Sequence, residues 1–245
     1  MNDSSAVRVD KLFDIIYEDA DLLVINKPAD LVCHPTKGDE YSSLISRVRL
    51  YLGPNAKPHL VNRLDRETSG VMVVAKNPKS AAELGKLWES RAVEKQYLAI
   101  VHGNVREDAG LIDAPLGKDV ASRVAIKDCV RTDGAAAQTE FAVERRFERD
   151  GKSFSYLRVT PRSGRKHQIR IHLAHLGHPI VGDKLYGGDE DLYLALVEGR
   201  LTPEQRARLI LPQHALHAER VRFVWRASER VYLAKPEPWF AGFIC

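Results

Sequence analysis

The most restrictive feature of this sequence is a pair of alternating apolar segments joined by a very short turn. Residues 139–147 and 154–160 each read as a strand, and Arg149-Asp150-Gly151 lies between them. A connection this short joins antiparallel neighbours, because a parallel crossover needs about a dozen residues or more. Four further strands are predicted, at 21–26, 71–76, 96–102 and 219–225. Since helices separate only some of these strands, the sequence predicts an α+β fold.

Three helices are predicted from their end signals. Asn77-Pro78 offers a cap followed by a proline suited to the first helical position. Thr202-Pro203-Glu204-Gln205 does the same, and Gln205 is spaced to complete a capping box. A third helix is expected from Lys166 to Leu176, with Gly177 as its stop.

Composition narrows the class of protein. The 245 residues are 44% hydrophobic and 29% charged, which describes a sizeable globular chain. Cys33, Cys129 and Cys245 are too few and too scattered for a disulfide framework or a cysteine metal site. The first ten residues lack the pattern of a signal peptide, and no apolar run approaches the ~18 residues that span a bilayer. These features predict a soluble, cytoplasmic protein that does not bind membranes.

Positive charge is concentrated in one stretch. The whole chain has 37 Lys and Arg against 33 Asp and Glu, yet residues 145–170 contain nine basic and two acidic residues. Such an excess attracts polyanions, although a solvated strand face is an equally simple interpretation. The aromatic residues Phe147, Phe154 and Tyr156 lie within the stretch, which favours RNA as the partner.

A possible catalytic carboxylate lies just before the strand at 71–76. Asp65 is flanked by Arg63 and Arg66 and is followed by a Thr-Ser-Gly turn. Nearby guanidinium groups favour the ionised carboxylate, so Asp65 is a candidate nucleophile or electrostatic stabiliser and a poor general acid. The simpler alternative is a turn residue in a surface ion pair.

Two more segments contain groups capable of chemistry. Tyr97 lies early in an apolar strand, where a phenol can exchange a proton, stack on a base or simply pack in a core. Arg170 is one helical turn from Lys166, which suits an anion or a carboxylate. A zinc site is disfavoured, because no acidic or cysteine ligand accompanies the nearby histidines His167, His172, His175 and His178.

Taken together, these segments resemble the RluA-type family of RNA pseudouridine synthases. The resemblance extends from about Phe13 to Trp225 and rests on motifs in a fixed order. The matching segments are 16–19 and 23–28 (Asn-Lys-Pro turn), 63–70 (Arg-Leu-Asp-x-x-Thr-Ser-Gly), 95–99, 164–170 (Gly-Arg-x-His-Gln-Ile-Arg), 178–183 and 216–218.

The resemblance implies a pseudouridine synthase fold, with a mixed, largely antiparallel sheet in two related halves, flanking helices and a central catalytic cleft. We expect an N-terminal extension at 1–12 and a single catalytic domain at 13–245, without the S4-type RNA-binding module of some members. The implied activity is isomerisation of specific uridines to pseudouridine in structured ribosomal or transfer RNA. Because no group is imported and no electron is transferred, no cofactor or metal is expected.

The resemblance also assigns residues. Asp65 is implied to be the catalytic aspartate, Tyr97 the active-site tyrosine and Arg170 the basic partner of Asp65. Asn62 stands where the family usually has His, so a titrating group is missing at that position. The residues expected to contact RNA are Asn62, Arg63, Arg66, Arg165, Lys166, His167 and Gln168.

Two alternatives stay open at the level of sequence. One is a non-catalytic RNA-binding or ribosome assembly factor that has the same basic cleft. The other is an N-glycoside hydrolase that uses Asp65 with Glu67 as its second carboxylate. A monomer without an obligate protein partner is the default expectation.

Overall fold

The computed structural model of the protein describes residues 13–35 and 42–245, so the expected extension at 1–12 lies outside the described residues. The strands are β1 (Asp14–Glu18), β2 (Leu22–Lys27), β3 (His59–Leu60), β4 (Ser69–Ala75), β5 (Val93–His102), β6 (Ala109–Asp113), β7 (Leu116–Lys118), β8 (Asp128–Val130), β9 (Gln138–Arg149), β10 (Lys152–Pro161), β11 (Leu216–Trp225) and β12 (Ser228–Leu233). The helices are α1 (Leu44–Leu52), α2 (Pro78–Glu89), α3 (Gln168–His175), α4 (Asp191–Val197), α5 (Pro203–Leu209) and α6 (Pro238–Ile244).

Ten strands form one mixed sheet in the order β1-β2-β4-β11-β5-β10-β9-β6, with β12 added to β11 and β3 to β4. Among the described strands, β4 and β11 form the one parallel pair, and every other pairing is antiparallel. The β9–β10 hairpin turns through Asp150 and Gly151, both at positive φ, as a tight two-residue turn requires. The predicted α+β fold is therefore confirmed.

All six predicted strands are present, and their ends differ for a physical reason. β11 begins at Leu216 rather than Glu219, because its first residues pair with β5 on one side and β4 on the other. A segment buried between two neighbours does not show the alternation of polar and apolar residues that the prediction used.

The helix predictions depend on how local their end signals are. The side chain of Asn77 caps α2, and Thr202 with Gln205 forms the expected capping box at α5. The third helix was predicted to begin at Lys166, but α3 begins at Gln168 because His167 has the left-handed backbone conformation (φ 54°).

β2 and β4 are apolar on both faces because both faces are covered. Leu22, Val24, Val71 and Val73 pack with Leu84 of α2. The alternate residues of the same strands, including Leu23, Ile25, Met72 and Val74, pack against Leu44 and Val48 of α1. This two-sided packing gives a rigid base to the loop that precedes β4.

The second half of the sheet, around β5 and β10, has its own core. Ile169 and Leu173 of α3 and Phe240 and Phe243 of α6 pack with Phe154.

None of the helices in residues 13–35 and 42–245 has the length and apolar character of a membrane-spanning segment.

The basic stretch at 145–170 is not one RNA-binding face, which corrects the sequence interpretation. Phe154 is 1% exposed and packs in the core against Phe147 and Phe243, and Tyr156 packs edge-on against Phe240, so these rings are engaged within the protein. Arg145 and Arg149 donate to main-chain carbonyls at the end of α6. The first part of the stretch therefore stabilises the C-terminal helix, and only its last part reaches the cleft described below.

Candidate active site

The loop before β4 is held in place by side chains from several elements. Leu64 is 9% exposed and packs in the core, while its carbonyl accepts a hydrogen bond from the thiol of Cys33. Lys27 is fully buried and donates from Nζ to the carbonyl oxygens of Pro28, Leu31 and Arg66 at 2.9 to 3.0 Å. Burial lowers the pKa of Lys27 to about 8. These anchors leave Asp65, between Leu64 and Arg66, little freedom to move.

The Thr-Ser-Gly turn is fixed by two buried histidines near the start of β11. Thr68 Oγ1 lies 2.7 Å from His214 Nε2, and Ser69 Oγ lies 2.9 Å from His217 Nδ1. Burial lowers the pKa of His214 to about 3, so this ring is neutral at physiological pH. The next residue, Gly70, has φ +117°, and a Cβ there would lie 2.2 Å from the carbonyl oxygen of Ala218. Glycine thus permits the close parallel contact of β4 with β11.

The central feature of the site is an arginine shared by two carboxylates. Arg170 on α3 donates from Nη1 to Asp65 Oδ2 at 2.7 Å. Its other two donors, Nε and Nη2, bind the two carboxylate oxygens of Asp183 at 2.7 and 2.9 Å. Asp183 is fully buried and also accepts from the backbone amides of Leu185 and Tyr186. Asp65, with 29% of its side chain exposed, is the carboxylate that faces the cleft.

The charges of this group explain its protonation state. Burial alone would raise the pKa of Asp65, but Arg170, together with smaller contributions from His167 and His214, outweighs this effect and holds the pKa below its ordinary value. The same guanidinium holds the pKa of the buried Asp183 well below its usual range. Arg170 therefore stays charged, and both carboxylates are ionised at neutral pH.

The arginine that forms an ion pair with Asp65 is distant in the sequence rather than adjacent to it. Arg63 and Arg66 flank Asp65 in sequence and were expected to keep it ionised. Arg66 instead pairs with Asp30 at 2.7 Å, with more than half of each side chain exposed, and the side chain of Arg63 is exposed. The ion pair of Asp65 comes from Arg170, as the family resemblance implied.

Asp65 lies in an open cleft of about 1060 Å³ that also contains Tyr97 of β5. Burial raises the pKa of the Tyr97 phenol, and the nearby charge of Asp65 raises it further. Tyr97 is therefore a protonated phenol at neutral pH when Asp65 is ionised, available for stacking or for donating a hydrogen bond.

His167 is a further neighbour of Asp65. Its Nδ1 is 2.9 Å from the hydroxyl of Tyr186, and its Nε2 is 3.8 Å from Asp65 Oδ1. Burial lowers the pKa of His167 even though Asp65 acts against that effect, which favours a neutral ring near pH 7. The bond to Tyr186 also explains how His167 is held in the left-handed conformation that delays the start of α3.

The residues expected to contact RNA fall into two groups. Arg63, Arg165 and Lys166 are exposed and line the cleft, and Lys166 pairs with Asp128 at 2.8 Å. His167 lines the cleft as well, whereas Arg66 points to Asp30.

Asn62 and Gln168 line the cleft, but their polar groups form hydrogen bonds within the protein. Asn62 bonds the backbone of β4 at Val71 and Val73. Gln168 is 4% exposed and bonds Ser163, the amide of Arg165 and residues of β9. Their positions favour a role in shaping the cleft.

Glu67 does not lie where a second catalytic carboxylate would be needed. Its carboxylate is within 2.9 Å of Lys184 Nζ and accepts from the amide of His214, and it is not part of the cleft lining. In the residues that the structure describes, no group of three His, Cys, Asp or Glu side chains is arranged to hold a metal ion.

Asp183, Lys27 and His214 were missed as functional positions by sequence reasoning, although 178–183 and 23–28 were recognised as motifs. The available signal was a charged residue at the end of an apolar run, Ile180-Val181-Gly182-Asp183 in one case and Leu22 to Lys27 in the other. A charge there is buried with the run unless it has partners.

Comparison with known proteins agrees with this geometry. The model of the RNA pseudouridylate synthase family matches residues 21–175. The ribosomal large subunit pseudouridine synthase D of Xanthomonas campestris is 39% identical over 230 residues, 92% of this chain and 66% of that protein. The dual-specificity RNA pseudouridine synthase RluA of Vibrio parahaemolyticus is 40% identical over 179 residues, 72% of this chain and 70% of that protein. An uncharacterised RNA pseudouridine synthase of Aquifex aeolicus is 39% identical, and the chain spans 56% of its length.

Solved structures show the same fold. Human RNA pseudouridylate synthase domain containing 1 superposes with a TM-score of 0.72 at 26% identity, covering 92% of this chain and 84% of that one. Human RNA pseudouridylate synthase domain containing 4 superposes with a TM-score of 0.71 at 27% identity, covering 93% of this chain and 90% of that one. The expected sheet architecture is thereby confirmed, and the chain belongs to the RluA-type family of RNA pseudouridine synthases.

Proposed function

We propose that this protein isomerises uridine to pseudouridine in RNA, with Asp65 as the catalytic group. The observation that carries the proposal is an ionised carboxylate, fixed by the buried Arg170, at the floor of a cleft lined by cations and by Tyr97. The reaction breaks the N1–C1′ bond and joins C5 to C1′, while C5 loses a proton and N1 gains one. Atoms and electrons balance within the nucleotide, so the chemistry requires positioning and charge rather than an imported group.

Two routes use an ionised Asp65. In the first, the carboxylate attacks C1′ and forms an ester while uracil leaves, and C5 of the turned base later displaces the carboxylate. In the second, the carboxylate removes the 2′ proton to give a glycal and returns that proton afterwards. Both routes need the depressed pKa that Arg170 produces, and both place Asp65 next to the ribose.

Tyr97 is coupled to Asp65 by charge. The ionised Asp65 contributes to the raised pKa of the phenol, so this contribution disappears while the carboxylate is esterified or protonated. In the proposed reaction Tyr97 first supports the base as a neutral ring. At the intermediate, where the charge of Asp65 is absent, the phenol gives its proton to N1 of the released base, and the resulting phenolate takes the proton from C5 after the new bond forms.

The target uridine must leave its stack to reach Asp65, at a cost of a few kcal/mol. Arg63, Arg165 and Lys166 at the cleft supply cationic contacts that offset this cost. The substrate is structured RNA, ribosomal or transfer RNA, and residues 13–245 are proposed to act as one catalytic domain. A monomer without an obligate partner is part of the same proposal.

The test is to map pseudouridines in RNA from cells that lack this gene and from cells complemented with variants. Wild-type protein should restore one or more sites, and Asp65→Ala should reduce the rate at those sites by at least about 10⁴-fold. Asp108→Ala removes an aspartate that is 89% exposed outside the cleft and should behave as wild type.

The alternatives give different results in the same experiment. A non-catalytic RNA-binding factor would restore no pseudouridine with either protein. A glycoside hydrolase would release free uracil, which purified protein and RNA can show directly. An Asp65→Ala protein with full activity would contradict the assignment of Asp65.

A further inference from the structure

One lysine in the cleft differs in its partners from the other buried or half-buried lysines. Five lysine side chains in residues 13–35 and 42–245 are buried or half-buried: Lys27, Lys76, Lys95, Lys127 and Lys184. Four of them have oxygen partners, as expected for a cation removed from water. Those contacts are Lys27 to three carbonyls, Lys76 to Glu18, Lys127 to Glu190 and Asp119, and Lys184 to Glu67.

Lys95 is the exception. In the described part of the chain, no carboxylate or carbonyl oxygen bonds its ammonium, and the charge that acts on it most clearly is another cation, Arg91. Its neighbour Glu94 also lines the cleft, but successive residues of a strand point to opposite faces, and no ion pair joins the two side chains. Glu94 pairs instead with Arg220 and Arg222. Lys95 is thus a half-buried cation without an anion.

The position of this cation is defined on two sides. Lys95 is two residues before Tyr97 on β5, so both side chains leave the same face of the strand, and both line the cleft of Asp65. Its Nζ lies against the turn that leads into α3, since a Cβ on Gly164 would be 3.5 Å from it. Burial together with Arg91 lowers the pKa of the ammonium, which marks an environment that an anion would relieve.

We propose that Lys95 is a phosphate-binding residue of the cleft, which holds one of the two phosphodiesters that flank the target uridine. The proposal deepens the proposed function and rests on it for the identity of the anion. The cleft is open to solvent, contains the carboxylate expected to meet C1′, and presents at Lys95 a charge that no protein group satisfies. A nucleotide with its ribose at Asp65 brings its phosphates into the same cleft.

Binding of a fluorescein-labelled oligouridylate, measured by anisotropy between about 50 and 200 mM KCl, tests this role. Loss of one phosphate contact should lower the slope of log Kd against log salt by about 0.7. We expect this change for Lys95→Gln and a wild-type slope for Lys95→Arg, because arginine also binds phosphate. Lys86→Gln, an exposed lysine outside the cleft lining, is the matched control and should keep the wild-type slope.

A second arm locates the contact. A single uncharged methylphosphonate linkage is moved along the oligouridylate, and each form is bound to wild type and to Lys95→Gln. One position should weaken the wild type and have no further effect on the variant, as expected when both changes remove the same contact. Because Lys95 has no internal partner, Lys95→Gln should melt at or above the wild-type temperature, so misfolding will not imitate the result.

The proposal is overturned if wild type does not bind the oligouridylate, if Lys95→Gln keeps the full salt slope, or if every uncharged linkage weakens both proteins equally. It is also overturned if Lys95→Arg has the reduced salt slope of Lys95→Gln, because a cation at this position would then not restore the contact. None of these readouts requires product formation. Failure of pseudouridine synthesis by the wild type would therefore contradict the proposed function separately.

Discussion

Arg170 makes three contacts to carboxylates, and two of them go to Asp183, which is buried and is not part of the cleft lining. Asp183 binds Nε and Nη2 and leaves Nη1 for Asp65. A two-point contact fixes the plane of the guanidinium, whereas one contact would let it turn. Asp183 is therefore a positioning residue for the pair that holds the proposed catalytic charge.

Asp183→Asn should impair turnover more than RNA binding. The buried ion pair is broken, for which a loss of about 3–5 kcal/mol is typical, and the orientation of Arg170 toward Asp65 is relaxed. We expect a lower kcat with a KM for RNA close to wild type, measured on protein that circular dichroism shows to be folded.

Asp19→Asn provides the matched control. Asp19 also accepts two backbone amides, from Asp21 and Leu22, but it lies outside the cleft lining. It should lower the melting temperature without lowering kcat. If Asp183→Asn shows that same pattern, Asp183 is a stabilising residue only.

At the scale of single residues, the sequence predicts which side chains are candidates for reaction more accurately than it predicts which side chains form ion pairs. Asp65, Tyr97 and Arg170 were named in advance and lie in one cleft. The contact from Arg66 to Asp30 and the contact from Arg170 to Asp183 join residues far apart in sequence or in unrelated motifs. No local pattern encodes such pairs, because the fold brings them together.

At the scale of elements, the approach of β4 to β11 depends on a residue without a side chain. The two strands touch at Ser69 with His217 and at Gly70 with Ala218, immediately after the loop that contains Asp65. A movement of this junction is expected to reach Asp65, since only three residues separate it from Ser69.

Gly70→Ala should destabilise the protein and lower activity together. The added Cβ would lie 2.2 Å from a backbone oxygen, and φ +117° is unfavourable for alanine. Backbone strain of this kind costs about 1–3 kcal/mol before any clash is counted. The fall in thermal melting temperature should therefore be at least several degrees.

Gly85→Ala in α2 is the opposite case and serves as control. A Cβ at Gly85 meets nothing within 4 Å, and alanine stabilises a helix interior by about 0.5–1 kcal/mol relative to glycine. Its melting temperature should rise while activity is unchanged. An equal response of the two variants would contradict the role given to the β4–β11 contact.

The elements that sequence predicted correctly are those with local signals. The capping residues Asn77 and Thr202 act within three residues of themselves, so their helices begin where expected. The start of α3 was wrong by two residues because His167 is held by Tyr186, nineteen positions away. β3, β6, β7, β8, β12, α1, α4 and α6 were not predicted.

At the scale of the whole molecule, ionised carboxylates contribute to the expected response to acid. In residues 13–35 and 42–245, nine carboxyl groups have a pKa held below its ordinary value by hydrogen bonds or basic neighbours, and Glu67 has a raised pKa because of burial. The nine are Glu18, Asp19, Asp21, Asp65, Glu83, Asp133, Asp183, Glu190 and Glu204.

Stability should therefore fall steeply in acid. A carboxyl group with a depressed folded pKa contributes stability that is fully present above its unfolded pKa, about 4, and is lost as pH falls through the folded value. The free energy of unfolding from urea titrations should decrease from about pH 5 to pH 3. Glu67 acts with the opposite sign, because its raised pKa favours the folded state as it becomes protonated.

Asp183→Asn should flatten this acid dependence, since it removes the buried group whose pKa is lowered well below its usual range. The comparison is made as the change in unfolding free energy between the two pH values, so the lower absolute stability of the variant does not matter. A variant curve parallel to wild type would show that the Arg170–Asp183 pair does not contribute to acid stability.

Because β11 lies between β4 and β5, the sheet that connects these two strands can form only after β11 has been synthesised. Asp65 precedes β4 and Tyr97 lies on β5, and in the described sheet these two strands meet through β11, which begins at Leu216. A nascent chain that has emerged from the ribosome only as far as α3 already contains Asp65, Tyr97 and Arg170, yet it lacks the strand that joins the two halves. Such non-local pairing forms late. Growing chains should therefore lack the proposed activity, and removal of β11 should abolish that activity without changing any of the residues proposed to be reactive.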